Sequence, residues 1–149
     1  MLRLTRRTML ALEAVLDVAY NARPHPVQAR EITARQGIPQ RYLEQVLQRL
    51  VRKGILRGVR GPRGGYTLAK ERRRISLGDV LRVVSELDLE EDAGTSKSTL
   101  GEQIIAPIWE EIQTEIFARY DALTIEDLCQ QAADKGVQRT GGETYDFSI

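Results

Sequence analysis

Arg41, Gln45, Gln48 and Arg52 follow one another at steps of four, three and four residues. On a helix that spacing puts all four on one side. Each carries a long hydrogen-bond donor able to reach base edges in the major groove of DNA. Leu43, Val46, Leu47, Leu50 and Val51 fall opposite and form one apolar stripe. Pro39 suits the first helical turn, where a backbone N–H has no acceptor to lose. Gly54 suits the position just past the end. Surface helices in general carry Arg and Gln, so this helix alone does not decide the chemistry.

The residues that follow do more. Ile55, Leu56, Val59, Tyr66 and Leu68 are strand formers flanking Arg60-Gly61-Pro62-Arg63-Gly64-Gly65. Three glycines let such a tip turn without steric cost. Arg57, Arg60 and Arg63 put positive charge on or near the protruding loop, and Arg60 is placed to enter a narrow minor groove, where negative potential concentrates. A phosphate-binding glycine loop would need a helix directly after the glycines. Tyr66-Thr67-Leu68 reads instead as strand. Helix and hairpin together suggest a recognition helix and its wing. Glu44, on the same outer side as Gln45 and Gln48, would accept from cytosine or reject some sequences.

Other elements must hold this pair in place. Leu4, Leu10, Ala11, Ala14, Val15, Val18 and Ala19 predict a helix over Leu4–Asn21, capped by Thr5 or Thr8. Arg3, Arg6 and Arg7 crowd its start, where positive charge is disfavoured unless a partner such as phosphate compensates. Pro24-His25-Pro26 marks an extended loop. Val27–Gln36 reads as a short helix, and Gly37 as the tight turn of a helix-turn-helix. Lys70–Arg74 is a basic run beside the expected DNA face. Ser76 with Asp79 forms a capping box for a helix whose buried stripe is Leu77, Val80, Leu81 and Val84. An acidic, polar stretch follows. Ile105, Ile108, Trp109, Ile112, Ile116, Phe117, Tyr120 and Leu123 then make a broad apolar stripe on a helix over Ile104–Tyr120, wider than one small core requires. Pro107 sits in its first turn or kinks it. Thr124 and Asp127 cap a last helix, with Leu128 and Cys129 on its apolar side.

Charge separates along the chain. Residues 1–75 hold 17 Lys/Arg against 5 Asp/Glu, net +12, and residues 76–149 hold 5 against 16, net −11. The basic half has the electrostatic footprint of a nucleic-acid face, while the acidic half would be repelled by phosphates. Cys129 is the single cysteine and His25 the single histidine. That excludes an intramolecular disulfide and a cysteine-cage zinc site, and it leaves acid–base or nucleophilic catalysis without the residues it needs. Cys129 reads as a small buried hydrophobe. No apolar run is long enough to span a membrane, and the N-terminus lacks a signal-peptide core, so a cytoplasmic protein is expected.

Tyr42-Leu43-Glu44-Gln45, Val59-Arg60-Gly61-Pro62 and Gly64-Gly65-Tyr66 together resemble the IscR/NsrR/CymR group of winged-helix transcription regulators, the Rrf-two family. Leu4-Thr5, Leu16-Asp17-Val18-Ala19, Gly37-Ile38, Asp79-Val80, Trp109 and Leu123-Thr124-Ile125 fit as well, and the likeness runs from about Leu2 to about Ala133. The resemblance implies a mainly α fold with a small β-hairpin: a winged helix-turn-helix domain over 1–85, with a dimerisation helix and C-terminal helix over 102–135. By composition, 86–101 reads as an acidic mobile loop and 136–149 as a disordered tail. It implies pairing of two copies through Ile105, Ile108, Trp109, Ile112, Ile116 and Phe117. In cluster-binding members the loop carries three cysteines, absent here, and their further histidine ligand corresponds to Ala106. Iron–sulfur clusters require thiolates, so neither cluster nor other cofactor is expected.

The expected function is a homodimeric repressor on a pseudo-palindromic operator in double-stranded DNA. Arg41, Gln45 and Gln48 would read bases, Arg60 the minor groove, Arg57 and Arg63 the nearby backbone, and Arg3, Arg6, Arg7, Arg52 and Lys53 phosphates. The alternative is a winged-helix interaction module whose basic face docks on an acidic protein. The regulatory signal stays open between a small molecule, a partner protein and none.

Overall fold

The structure is a computed structural model that describes residues 5–22, 25–91 and 97–139. Arg3, Leu4, Pro24, Asp92 with the loop residues before Lys97, and the tail from 140 onward lie outside them. Among the described residues the elements run α1 (Arg6–Asn21), α2 (Ala29–Gln36), α3 (Gln40–Arg52), β1 (Leu56–Val59), β2 (Gly65–Leu68), α4 (Leu77–Glu91), α5 (Ala106–Asp121) and α6 (Ile125–Asp134). The fold is the expected one, mainly helical with a single antiparallel hairpin.

The first helix is the hub. Ala11, Ala14, Val15 and Val18 are fully buried on it, and α2, α3, α4, α6 and β2 all pack around it. Small residues at its centre let the neighbours approach closely. Leu43, Leu47 and Leu50 of α3 and Val80 and Val84 of α4 fill the same core. Each large apolar side chain so buried contributes about 1.5–3 kcal/mol. Thr5 caps α1 by accepting from the Thr8 N–H at 3.2 Å. The helix therefore starts two residues after Leu4, where the stripe alone had suggested.

A buried ion pair ties the helix-turn-helix to this hub. The Asp17 carboxylate has no solvent-exposed surface. Arg35 of α2 donates to it twice, from Nε at 2.9 Å and Nη2 at 2.8 Å, and Gln36 donates a third bond at 2.8 Å. That bond with Asp17, ahead of any other effect, raises the Arg35 guanidinium above its ordinary value. Gly37 ends α2 in the left-handed conformation, φ 66°, and turns the chain into α3.

Val27 is not helical, contrary to the sequence reading. α2 begins at Ala29, and Val27 forms an antiparallel bridge with Tyr66: the Val27 N–H donates to the Tyr66 carbonyl at 2.9 Å and the reverse bond is 2.7 Å. Val27 is β-branched, so an extended backbone suits it. Gly65 makes this possible. Its φ is +154°, and a Cβ there would stand 2.5 Å from the Val27 carbonyl oxygen.

Three further expectations change. Residues 86–91, assigned to the acidic loop, continue α4, and Thr99 and Leu100 are already helical. The long C-terminal helix thus starts earlier than Ile104, through a wide turn at Gly101–Ile105 in which the Ala106 N–H reaches back five residues to the Gly101 carbonyl. Pro107, which has no N–H to give, follows directly. Finally, Gly136–Arg139 of the presumed tail are placed. The Val137 N–H donates to Ala132, the Tyr20 hydroxyl donates to the Val137 carbonyl at 2.5 Å, and the Arg139 guanidinium lies 4.8 Å from the Tyr20 ring centre.

Candidate nucleic-acid interface

The outer side of α3 is built by its inner side. Leu43, Val46, Leu47 and Leu50 are buried, and helical geometry turns Arg41, Glu44, Gln45, Gln48 and Arg52 outward, where all five are exposed. Pro39 precedes the helix as its cap residue, and Gly54 follows at φ +76°. Gln40 donates to Glu44 at 3.3 Å across one turn. Glu44 thus stands on the outer side with a tether from its own helix.

The wing follows within a few residues. Leu56 pairs with Leu68, Arg57 with Thr67, Gly58 with Tyr66 and Val59 with Gly65. Arg57, Arg60 and Arg63 are exposed along and beyond the strands. Ile55 and Leu56 root the hairpin in the core, and the Ile55 N–H donates to the Leu50 carbonyl at 3.0 Å. The Val27 bridge fixes the other strand to the segment that leads into α2. α3 and the hairpin are therefore both fixed to the same small domain.

The basic residues divide by what they touch. Arg6 is exposed at the start of α1. Arg7 is half-buried with its guanidinium 5.6 Å from the Tyr42 ring centre, a contact that joins the start of α1 to the start of α3. Of the basic run after the wing, Arg72 turns inward and pairs with Glu126 of α6 at 2.9 Å, while Arg73 and Arg74 are exposed.

One carboxylate on the head was not anticipated. Glu86 of α4 takes Lys53 at 2.9 Å and Arg49 at 3.1 Å. Lys53, followed by Arg49, lowers the Glu86 pKa. The pairing offsets one of the two positive charges at the end of α3, and Lys53 is a candidate phosphate contact. Nothing in the local sequence marks it, because the partners come from separate helices. Glu86→Gln is expected to raise affinity for any duplex about two- to fivefold. The slope of log K against log salt should steepen by up to about one. Titrations of a random duplex at several salt concentrations would measure both.

The dimerisation candidates split in two. Leu100 is 73% exposed, Ile105 60% and Trp109 46%, with Ile104, Ile108 and Ile112 also exposed. Ile116 and Phe117 are half-buried. Phe117 faces α4, with the Arg82 guanidinium 5.0 Å from its ring centre, and meets Tyr120 edge-on at 5.6 Å.

The family model described as Rrf2, iron-dependent transcriptional regulator, matches residues 4–131. Relatives include the HTH-type transcriptional regulator IscR of Cronobacter sakazakii, 34% identical over 129 residues, which are 85% of this chain and 80% of that one. The IscR of an Enterobacter strain is 33% identical over 147 residues, 96% and 90% of the two chains. Among solved structures, T. potens IscR superposes with a TM-score of 0.74 at 29% identity, covering 93% of each chain. The global cysteine regulator CymR of B. subtilis gives 0.69 at 25%, covering 88% of this chain and 98% of its own.

The iron in the family description finds a poor donor set here. Among the described residues no three of His, Cys, Asp and Glu come together as a metal site. Cys129 is 2% exposed, and burial pushes its thiol up despite nearby Arg72, away from the thiolate a cluster needs. His25 is exposed on its loop. These residues do not fit an iron–sulfur cluster.

Proposed function

Because the chain belongs to the Rrf2 family of transcriptional regulators, we propose that it is a homodimeric repressor that reads a pseudo-palindromic operator without an iron–sulfur cluster. DNA binding and transcriptional regulation come with the family, and the chain is not an enzyme. The observation that carries the finer reading is the outer side of α3. Five exposed polar or charged side chains there lie directly before a wing with three exposed arginines.

Arg41, Gln45 and Gln48 are assigned to base edges in the major groove, where a bidentate Arg–guanine or Gln–adenine pair discriminates by about 1–3 kcal/mol. Arg60 is assigned to the minor groove. Arg57, Arg63, Arg52, Arg6 and, through its stacked position on Tyr42, Arg7 are assigned to the backbone, which sets register rather than sequence. Arg3 completes that set by sequence alone. The apolar side of α5, from Ile105 to Ile112 with Ile116 and Phe117 at its inner edge, is assigned to a second copy. An exposed stripe of this length is costly to leave in water and cheap to cover with its own twin. A repressor needs only to occupy its operator, and the head and pairing helix suffice for that. Among the described residues no helix is long and apolar enough to cross a membrane.

Genome-wide footprinting with purified protein tests the reading: protected inverted repeats upstream of genes support it, and random coverage overturns it. Arg60→Ala is expected to weaken binding to such a site by about 1–3 kcal/mol, with little loss on a scrambled duplex. Equal loss on both would reduce Arg60 to a backbone contact. A visible spectrum of anaerobically purified protein tests the missing cluster, and charge-transfer bands would overturn that part.

A further inference from the structure

The exposed half of α5 projects from a base that is clamped in three ways. The first clamp is backbone. The Leu77 N–H donates to the Leu123 carbonyl and the Ile125 N–H to the Ile75 carbonyl, both at 2.8 Å, forming an antiparallel bridge between Ser76 and Thr124. The starts of α4 and α6 are thereby sewn together across the turn that ends α5. Each start is also locked by its own capping box, Ser76 with Asp79 and Thr124 with Asp127.

The second clamp is a close approach. A Cβ on Gly78 would stand 1.9 Å from the Asp121 carboxylate. The Asp121 side chain is thus seated on the first turn of α4, and any larger residue at position 78 would have to displace it. The third is a fork. Arg82 donates to both Asp121 oxygens, at 2.8 and 2.6 Å, while its guanidinium lies over the Phe117 ring. The bond to Asp121 raises Arg82, and the bond from Arg82 lowers Asp121. Single exposed ion pairs contribute little stability. This one is bidentate and stacked, so its geometry is constrained in direction as well as distance.

What that geometry controls is an angle. From Asp121 to Ile105 the helix is a lever of roughly 24 Å. A play of about 10° at its base moves the far end by roughly 4 Å, as much as the 3.4 Å rise of one base pair. One inserted base pair also rotates a half-site by about 35° around the duplex.

We propose that the Gly78–Arg82–Asp121 joint sets the spacing between operator half-sites by fixing the direction of α5 relative to the DNA-binding head. The inference rests on the homodimer reading above. Arg82 and Asp121 are then specificity-determining positioning residues that touch no DNA.

In vitro selection from a pool of random duplexes tests it, using the full chain, Arg82→Ala, Asp121→Ala and the charge swap Arg82→Asp with Asp121→Arg. The wild type should enrich inverted half-sites at one spacing and lose roughly tenfold in affinity when one base pair is inserted. Both single variants should enrich the same half-site at several spacings and lose less than about threefold on that insertion. The swap should narrow the spacings again, which a merely destabilised head would not do. Variants that keep the single wild-type spacing, or that lose the half-site itself, overturn the joint and leave the dimer standing. A wild type that enriches lone half-sites overturns both.

Discussion

Arg35→Ala is expected to destabilise the protein by about 3–5 kcal/mol, the cost of leaving a buried charge without its partner. The Asp17 carboxylate is wholly enclosed, and among the bonds described for it the substitution removes the two from Arg35 and leaves that from Gln36. Since a domain of this size has about 5–15 kcal/mol in total, the loss should be plain in the urea midpoint. The double variant Asp17→Leu with Arg35→Met should recover most of it, because well-packed apolar pairs commonly replace buried ion pairs without loss. Recovery of the midpoint without recovery of DNA affinity would show that the pair orients α2 as well as anchoring it. An unchanged midpoint in Arg35→Ala would mean that water reaches Asp17 and that the contact is dispensable.

Ile108→Glu is expected to separate the two copies and to weaken binding to an inverted repeat by roughly 10²–10⁴-fold, the advantage that linking two binding modules confers. Ile108 is exposed in the single chain, so the substitution should cost the isolated fold almost nothing, and thermal unfolding at low concentration should be near that of the parent. The penalty falls on the assembly, where a carboxylate would be buried in an apolar seam. Sedimentation equilibrium measures the first effect and mobility shift on whole and half operators the second. A variant that stays dimeric would place the pairing surface elsewhere.

The sequence made short-range structure legible and long-range partners not. Each cap that proved right joins residues three apart: Thr5 with Thr8, Ser76 with Asp79 and Thr124 with Asp127. The inner stripe of α3 and the glycine-tipped hairpin were legible for the same reason, since helical and strand periods repeat locally. Val27 was misplaced because its partner, Tyr66, lies beyond two helices. Asp17, Glu86 and Arg72 carry no mark of Arg35, Lys53 or Glu126, because topology rather than spacing brings them together. Gly136 to Arg139 read as tail by composition, yet Tyr20 supplies a hydroxyl and a ring for them. Of the candidate interface, residue types and the outward side of α3 were readable. The Glu86 pairing and the base of α5 were not.

The double hydrogen bond between Val27 and Tyr66 makes the winged domain a caliper with fixed jaws. Hairpin and the segment before α2 are tied to move together, so on an awkward duplex such a head would leave the bending to the DNA. Pyrimidine–purine steps that yield easily, lying between the two groove contacts, should then be favoured even where no side chain reaches them.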